Sequence, residues 1–458
     1  MATTTLLRPA PAPPEHWNTL QILKAGRAAL IALDVLLLIA GMVATRIHRD
    51  AIKTVGKDAA PSIIAAQHIK SALADMDANA ANELLGAPRA ANEDTKGYEA
   101  RREEAARTLI SAAENITYGE LERDPIVRLQ LGLGTYERLI QKARDLHERS
   151  DAHFVDAYRD AARLMDETVL PAADALDKAN NDVLETAYES QSVKSTAGRG
   201  FLLLASMLSL GGLVIAQFYL SKLTRRTLNP LLVAATLVLL GAANTAYTAM
   251  SIGQQQLRIA KEDGFHSIRA LWRARAIAYQ AHTDESRYLL DQAHAADHER
   301  SFAARTESMA KLPSGKRLAE VVKAAYNGIH VQGFSGHLAD ELNNITFPGE
   351  REAAVKMLMQ FEDYLAVDQQ IRLLARGGKL QDAINLCTGT KPGQSDFVFD
   401  QFDQALGATL EINQKAFTAA VESGFEALDG LEVKLSVAAG GIAVLIFLGL
   451  APRIREYE

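Results

Sequence analysis

Four apolar runs interrupt an otherwise polar, charge-rich sequence. Residues 201–220 and 231–250 are each 20 residues long and carry no charged side chain. The run at 28–45 contains Asp34 as its one charged residue, and the run at 435–451 contains none. Twenty helical residues extend about 30 Å, which is enough to cross the hydrocarbon core of a bilayer. The pattern predicts transmembrane helices at 24–45, 201–220, 231–250 and 435–451.

Lysine and arginine are concentrated in the short segments beside these spans. Lys222, Arg225 and Arg226 lie in the linker 221–230, and further basic residues precede the first span and follow the last. Because short basic segments stay in the cytoplasm, we expect the tail 1–23, the linker and the stub 452–458 to be cytoplasmic. Proline-rich composition predicts a disordered tail. Residues 46–200 and 251–434 are then extracytoplasmic.

The first long external segment has the periodicity of packed helices. Apolar residues follow one another at steps of three and four from Ile69 to Leu84, which makes one stripe along a helix. The pattern predicts helices at 46–85, 98–116 and 126–146, the last starting at Asp124-Pro125, and a fourth from about 151 into the second span. These four form a predicted antiparallel bundle.

The second half repeats the first at an offset of 205 positions. Six residues of the first half recur at that offset: Asp58, Ser62, Ile63, Ala65, Leu84 and Leu85 match Asp263, Ser267, Ile268, Ala270, Leu289 and Leu290. The repeat predicts a second bundle at 251–434, with extra length near 377–393 and a last helix at 396–434. The predicted fold is an all-α membrane protein with four transmembrane helices and two extracytoplasmic antiparallel four-helix bundles in tandem.

Composition and motifs limit the classes of function expected for this protein. The net charge is −7, which does not indicate a nucleic-acid partner, and the single Cys387 allows no intrachain disulfide. The chain has no glycine-rich phosphate loop, paired-cysteine motif or nucleophile elbow. His294 and His298 lie four apart on one helical face, a weak metal pattern that is more typical of solvated histidines. We expect no enzyme activity, no cofactor and no metal site.

Two sets of polar residues on the bundle helices are candidate ligand-binding residues. Asp75, Asn79 and Asn82 form a strip at four- and three-residue steps. The second set comprises Arg273, Asp284 and Arg287, in which arginine suits a carboxylate. The alternative is that both sets form exposed faces or inter-helix hydrogen bonds.

Other polar residues are candidates for roles in and beside the membrane. Asp34 is an intramembrane carboxylate and hence a functional candidate, or a residue that faces the helix bundle. Lys222, Arg225 and Arg226 are candidate docking residues for a cytosolic partner, in addition to their role in orienting the hairpin.

Residues 65–85, which end in Asp75-Met76-Asp77-Ala78-Asn79-Ala80-Ala81-Asn82-Glu83-Leu84-Leu85, resemble the four-helix-bundle sensor domain of bacterial chemoreceptors. The plan of two span-bundle-span modules is similar to the actinobacterial membrane component that links a glutamate- and aspartate-binding lipoprotein to a cytosolic Ser/Thr protein kinase. These resemblances imply a homo-oligomeric protein of the bacterial inner membrane. Its implied partners are a solute-binding protein or small ligand outside and a signalling partner such as that kinase inside.

The resulting hypothesis is a multi-pass inner-membrane sensor that passes an external signal to a cytosolic partner. A membrane transporter subunit or an oligomeric membrane scaffold is the alternative. Duplicated halves and Asp34 favour transport, but Leu239 stands at the position of Asp34 in the repeat.

Overall fold

The computed structural model describes residues 18–86, 93–117, 119–224 and 228–458. It is 88% helical, and the described residues form no strand, only an isolated bridge between Lys311 and Ser335. The all-α prediction is confirmed. Heptad-like apolar spacing and abundant alanine account for this, since both favour helices over strands.

Four helical stretches are long and apolar enough to cross a membrane. They are Thr19–Leu85, Phe154–Leu223, Pro230–Leu290 and Ser395–Glu456. Each contains one of the predicted spans, so the prediction of four membrane-length helices is confirmed.

The helices of the first half are α1 (Thr19–Lys53), α2 (Ala60–Leu85), α3 (Glu93–Glu114), α4 (Glu120–Glu148), α5 (Phe154–Leu164) and α6 (Leu170–Thr224). Those of the second half are α7 (Pro230–Arg258), α8 (His266–Leu290), α9 (Ala295–Met309), α10 (Leu318–Tyr326), α11 (His337–Asn343), α12 (Glu350–Arg376), α13 (Leu380–Cys387), α14 (Ser395–Leu428) and α15 (Leu431–Glu456). Helix α1 begins inside the segment predicted as a tail.

Several predicted helix limits are wrong: α3, predicted at 98–116, spans Glu93–Glu114, and two further differences have a local cause. Helix α4 begins at Glu120, not at Asp124-Pro125, because buried Glu122 reaches back and accepts a hydrogen bond from the Thr117 N–H at 2.7 Å. The helix predicted at 396–434 is interrupted at Gly430, whose φ of +64° lies outside the right-handed helical region.

Short π-helical segments interrupt the long helices at related places. They span Thr54–Ala59 and Ile259–Phe265, so their first residues are 205 positions apart, the offset of the predicted repeat. A third segment spans Met165–Val169. Such π-bulges are frequent at functional sites. Their matched positions support a duplication, which stays a prediction.

The chain divides into two compact units. Unit 1 comprises the described residues of Met1–Arg49, Gln191–Gly253 and Glu426–Glu458. It holds the apolar runs, and small residues such as Gly212, beside Leu30 and Leu33, permit close helix packing there. Unit 2 comprises Asp50–Ser190 and Gln254–Phe425.

Unit 2 is built around α2 and α8, which pack against each other. Both are buried along most of their length, and alanines on each helix let the backbones approach closely. Helix α3 packs on α2, and α9 and α11 pack on α8. The two segments predicted as tandem bundles therefore share one core.

Candidate functional site

The α2–α8 contact contains charged and polar side chains where an ordinary core would be apolar. Those buried on α2 include Asp75, Asp77 and Asn82, and those on α8 include His282, Thr283, Asp284, Glu285, Ser286 and Arg287. A buried polar group is costly unless it is hydrogen-bonded or ion-paired. Most of these groups are paired with side chains of other helices, whereas Thr283 donates to the Tyr279 carbonyl of α8 itself.

One arginine joins both halves of unit 2. The Arg287 side chain is 3% exposed and donates to Asp77 Oδ2 at 2.6 Å and to Asp166 Oδ2 at 2.7 Å. Its Nε donates to the Tyr158 hydroxyl at 3.2 Å, and the Tyr136 hydroxyl donates to the second oxygen of Asp77 at 2.8 Å. A single guanidinium thus connects α8 with α2, α5 and the π-helical segment that follows α5.

A second arginine completes this group. Arg305 of α9 pairs with Asp284 and lies 3.4 Å from Asp166 Oδ1. Burial raises the pKa of Asp284 to about 6, although Arg305 and Arg287 oppose that rise. We call this set the Arg287 cluster: Asp77, Tyr158, Asp166, Asp284, Arg287 and Arg305. Removing one partner of a buried ion pair leaves an uncompensated charge and costs about 3–5 kcal/mol.

The predicted polar strip on α2 is held by neighbouring side chains. Asp75 is paired with Arg101 of α3, and Asn79 donates to Asp75 Oδ1 at 2.7 Å. Asn82 donates to Asp396 Oδ1 at 3.1 Å and accepts a hydrogen bond from Ser286. The strip therefore forms contacts between helices, as the alternative interpretation expected, and its role in ligand binding stays a prediction.

A cluster of acidic residues lies beside Asn82, and no sequence motif indicated it. His282 Nε2 lies 3.1 Å from Asp396 Oδ1, and its ring stacks on Phe399 with centroids 4.2 Å apart. Fully buried Glu285 accepts a hydrogen bond from Ser395 Oγ at 2.5 Å and contacts Cys387 Sγ at 3.6 Å. These residues come from α8, α13 and α14, so only the tertiary structure brings them together.

Glu285 is the strongly perturbed acid of that cluster. Burial, followed by the negative charge of Asp368, raises the pKa of Glu285 to about 8. Arg372, the nearby cation, donates its hydrogen bonds of 2.9 and 2.8 Å to Asp368 and not to Glu285. Glu285 therefore holds a proton at neutral pH.

Arg273 lies away from the other two predicted residues of its set. Asp284 and Arg287 belong to the Arg287 cluster, whereas Arg273 donates to Asp177 Oδ2 at 2.8 Å. The 14 residues from Arg273 to Arg287 correspond to about 21 Å along a helix. Arg273 therefore lies at a different level of α8 from Asp284 and Arg287.

Arg273 instead lines a cleft between α8 and α11. The cleft encloses about 430 Å³. Its lining residues are His266, Ser267, Arg269, Ala270 and Arg273 on one wall and His337, Asp340, Asn343 and Asn344 on the other. Arg269 also donates to Asp177 Oδ2, at 2.9 Å.

The two histidines of the weak metal pattern surround an aspartate that is already paired. His294 Nδ1 and His298 Nε2 lie 3.2 and 3.6 Å from Asp291, which Arg159 holds through hydrogen bonds of 2.9 and 3.0 Å. Within the described ranges, no group of three or more His, Cys, Asp or Glu side chains is arranged to hold a metal ion.

The structure describes two of the candidate residues for roles in and beside the membrane, Asp34 and Lys222. Asp34 is buried, and its Oδ1 has no hydrogen-bond partner among the described residues. Lys222 is exposed near the end of α6. Arg225 and Arg226 lie outside the described residues.

Comparison with known families adds one finding. Residues 51–189 match the family model described as "Actinobacterial sensor domain". The match falls within Asp50–Ser190, the first segment of unit 2, and includes Asp77, Tyr158 and Asp166 of the Arg287 cluster. No curated protein and no solved structure matches the chain. The family supports a sensing or signalling role in a membrane protein, whereas the likeness to chemoreceptors and the link to a kinase stay predictions.

Proposed function

We propose that this protein is a sensor of the bacterial inner membrane. Unit 2 receives an extracytoplasmic signal, either a small ligand or a loaded solute-binding protein, and the long helices pass it to a cytosolic partner such as a Ser/Thr kinase. The observation that carries this proposal is the Arg287 cluster. It ties the sensor-like first half to α8 of the second half through buried charges.

The cluster suits a switch because ion-paired cores have discrete packing arrangements. Arg287 and Arg305 face three carboxylates, so the cluster carries excess negative charge when all three are ionised. Rotation of one helix by a fraction of a turn pairs an arginine of the cluster with a different carboxylate, and does not merely lengthen one hydrogen bond. Small shifts of rigid helices are a known means of signal transmission.

The four long helices are the path by which the signal leaves unit 2. Each of the four contains residues of unit 2 and residues of unit 1. A shift in the packing of α2 against α8 therefore acts on helices that continue into apolar spans. With both termini and the linker 221–230 in the cytoplasm, the output passes through a partner that binds these short segments.

The test is to identify what the full chain binds on each side of the membrane. We expect cross-linking in intact actinobacterial cells, followed by purification, to recover a cytosolic kinase and an extracytoplasmic binding protein. Recovery of neither, combined with solute flux in sealed vesicles containing the purified chain, would replace the sensor with a transporter. The buried, unpartnered Oδ1 of Asp34 is the observation that favours this second candidate.

A further inference from the structure

The α8–α11 cleft has a pair of arginines on its α8 wall. Arg269 and Arg273 are one helical turn apart, and both donate to the same oxygen of Asp177 on α6. Asp177 is almost fully buried, whereas the side chain of Arg273 is 37% exposed. Asp177 is thus shared by two guanidinium groups, and Asp340 supplies a second carboxylate in the lining of the cleft.

The arginines also have unused hydrogen-bonding capacity. Each makes one hydrogen bond to Asp177, and their other N–H groups have no protein partner among the described residues. Arg269 Nε is buried without an acceptor. A guanidinium presents its donors as a planar fork that fits the two oxygens of a carboxylate.

His337 is a further polar residue of the cleft, on the α11 wall. Burial lowers the pKa of His337, and the positive charges of Arg273, Lys70 and Arg269 lower it further, against the opposing effect of Asp340. His337 is therefore neutral at pH 7 and can donate one N–H without adding charge.

We propose that the α8–α11 cleft binds a small carboxylate through Arg269 and Arg273, with His337 as an additional hydrogen-bond partner. The ligand carboxylate binds the two guanidinium groups that share Asp177. The volume of about 430 Å³ falls in the range of small-molecule sites. The lining residues lie outside the family match at 51–189, so that match does not assign this site.

Binding of the ligand also affects the contact between α8 and α6. This step rests on the proposed function. The carboxylate competes with Asp177 for the two arginines, and Asp177 is their link from α8 to α6. Occupation of the cleft therefore loosens that link, and α6 is one of the helices that continue into unit 1.

The test measures binding to the full chain in detergent by calorimetry, with sodium acetate, sodium succinate and sodium phosphate as probes at constant ionic strength. We expect acetate or succinate to bind the wild-type protein and to bind Arg273→Gln at least about tenfold more weakly, the loss expected from one charge-assisted contact. Arg300→Gln removes an exposed arginine on α9 and should bind like the wild type.

A second variant keeps the proposal testable if Arg273→Gln fails to fold. Asp177→Asn keeps the shape of the side chain but removes the internal competitor, so carboxylate binding should tighten severalfold. Binding of phosphate without either carboxylate, absence of any binding, or unchanged affinity in both variants would overturn the proposal. Carboxylate binding in a protein that recruits no cytosolic partner would leave the site intact and refute the sensor function.

Discussion

Arg287 of α8 donates a hydrogen bond of 2.6 Å to Asp77 of α2, and the two residues are 210 positions apart in the sequence. Both side chains are almost completely buried. This pair lies where the sensor-like first half meets the second half, so its strength affects both stability and the proposed signal.

Arg287→Met should strongly destabilise unit 2. The substitution leaves Asp77, Asp166 and Asp284 close together without their shared cation, at a cost of about 3–5 kcal/mol in the free energy of unfolding. Urea unfolding of the full chain in detergent, followed by circular dichroism, measures the loss. Arg300→Met removes an exposed ion pair and should change stability by no more than about 0.5 kcal/mol. Equal stability of the two variants would contradict a structural role for the cluster.

Glu285 should make unit 2 less stable as the pH rises. Its pKa is raised from the ordinary 4.5 to about 8, so the folded state keeps a proton that the unfolded state releases between these values. The stabilisation is fully present below about pH 4.5 and is lost progressively as the pH rises through about 8. Unfolding curves across this range measure the slope.

Glu285→Gln provides the matched comparison for that slope. Glutamine is neutral like the protonated acid, so we expect a flatter dependence on pH. The raised pKa values of His282 and Asp368 act with the same sign, and their contribution should persist. Glu103→Gln, on the exposed face of α3, should keep the wild-type slope. A slope that is identical in Glu285→Gln and the wild type would show that Glu285 does not carry the proton.

The predicted orientation is testable with engineered cysteines. Cys387 is fully buried, so it cannot report the side of the membrane and is best replaced by alanine. In that background, a membrane-impermeant thiol reagent should label Ala296→Cys, which is exposed on α9, in intact cells. Ser221→Cys should be labelled only after the cells are opened. The reverse pattern would invert the topology.

The basic linker should bind the cytosolic partner. Arg225→Gln together with Arg226→Gln removes two charge-assisted contacts worth roughly 1.5–3 kcal/mol each, so affinity should fall by about tenfold or more. Lys222 remains to hold the orientation, which thiol labelling checks. Arg300→Gln, on the exposed face of α9, serves as the comparison. Normal topology with unchanged affinity would move the docking surface to the termini.

The local features of this protein were readable from the sequence. Long uncharged runs predict membrane-length helices because a bilayer accepts only segments without unpaired polar groups. Apolar spacing predicted the long helices of unit 2. The offset of 205 found in the sequence also separates the first residues of two π-helical segments, Thr54 and Ile259. Even so, Glu122 displaced the predicted start of α4, and Gly430 ended α14 early.

The tertiary structure decided which buried charges meet. The strip on α2 was visible as a pattern, but its partners come from other helices: Arg101 for Asp75 and Asp396 for Asn82. Arg273 and Arg287 lie on one helix, yet in the folded protein the first lines the α8–α11 cleft and the second is buried in the core. Helix formation depends on neighbours within a few residues, whereas ion pairing and pKa depend on groups that only folding brings together from distant parts of the chain.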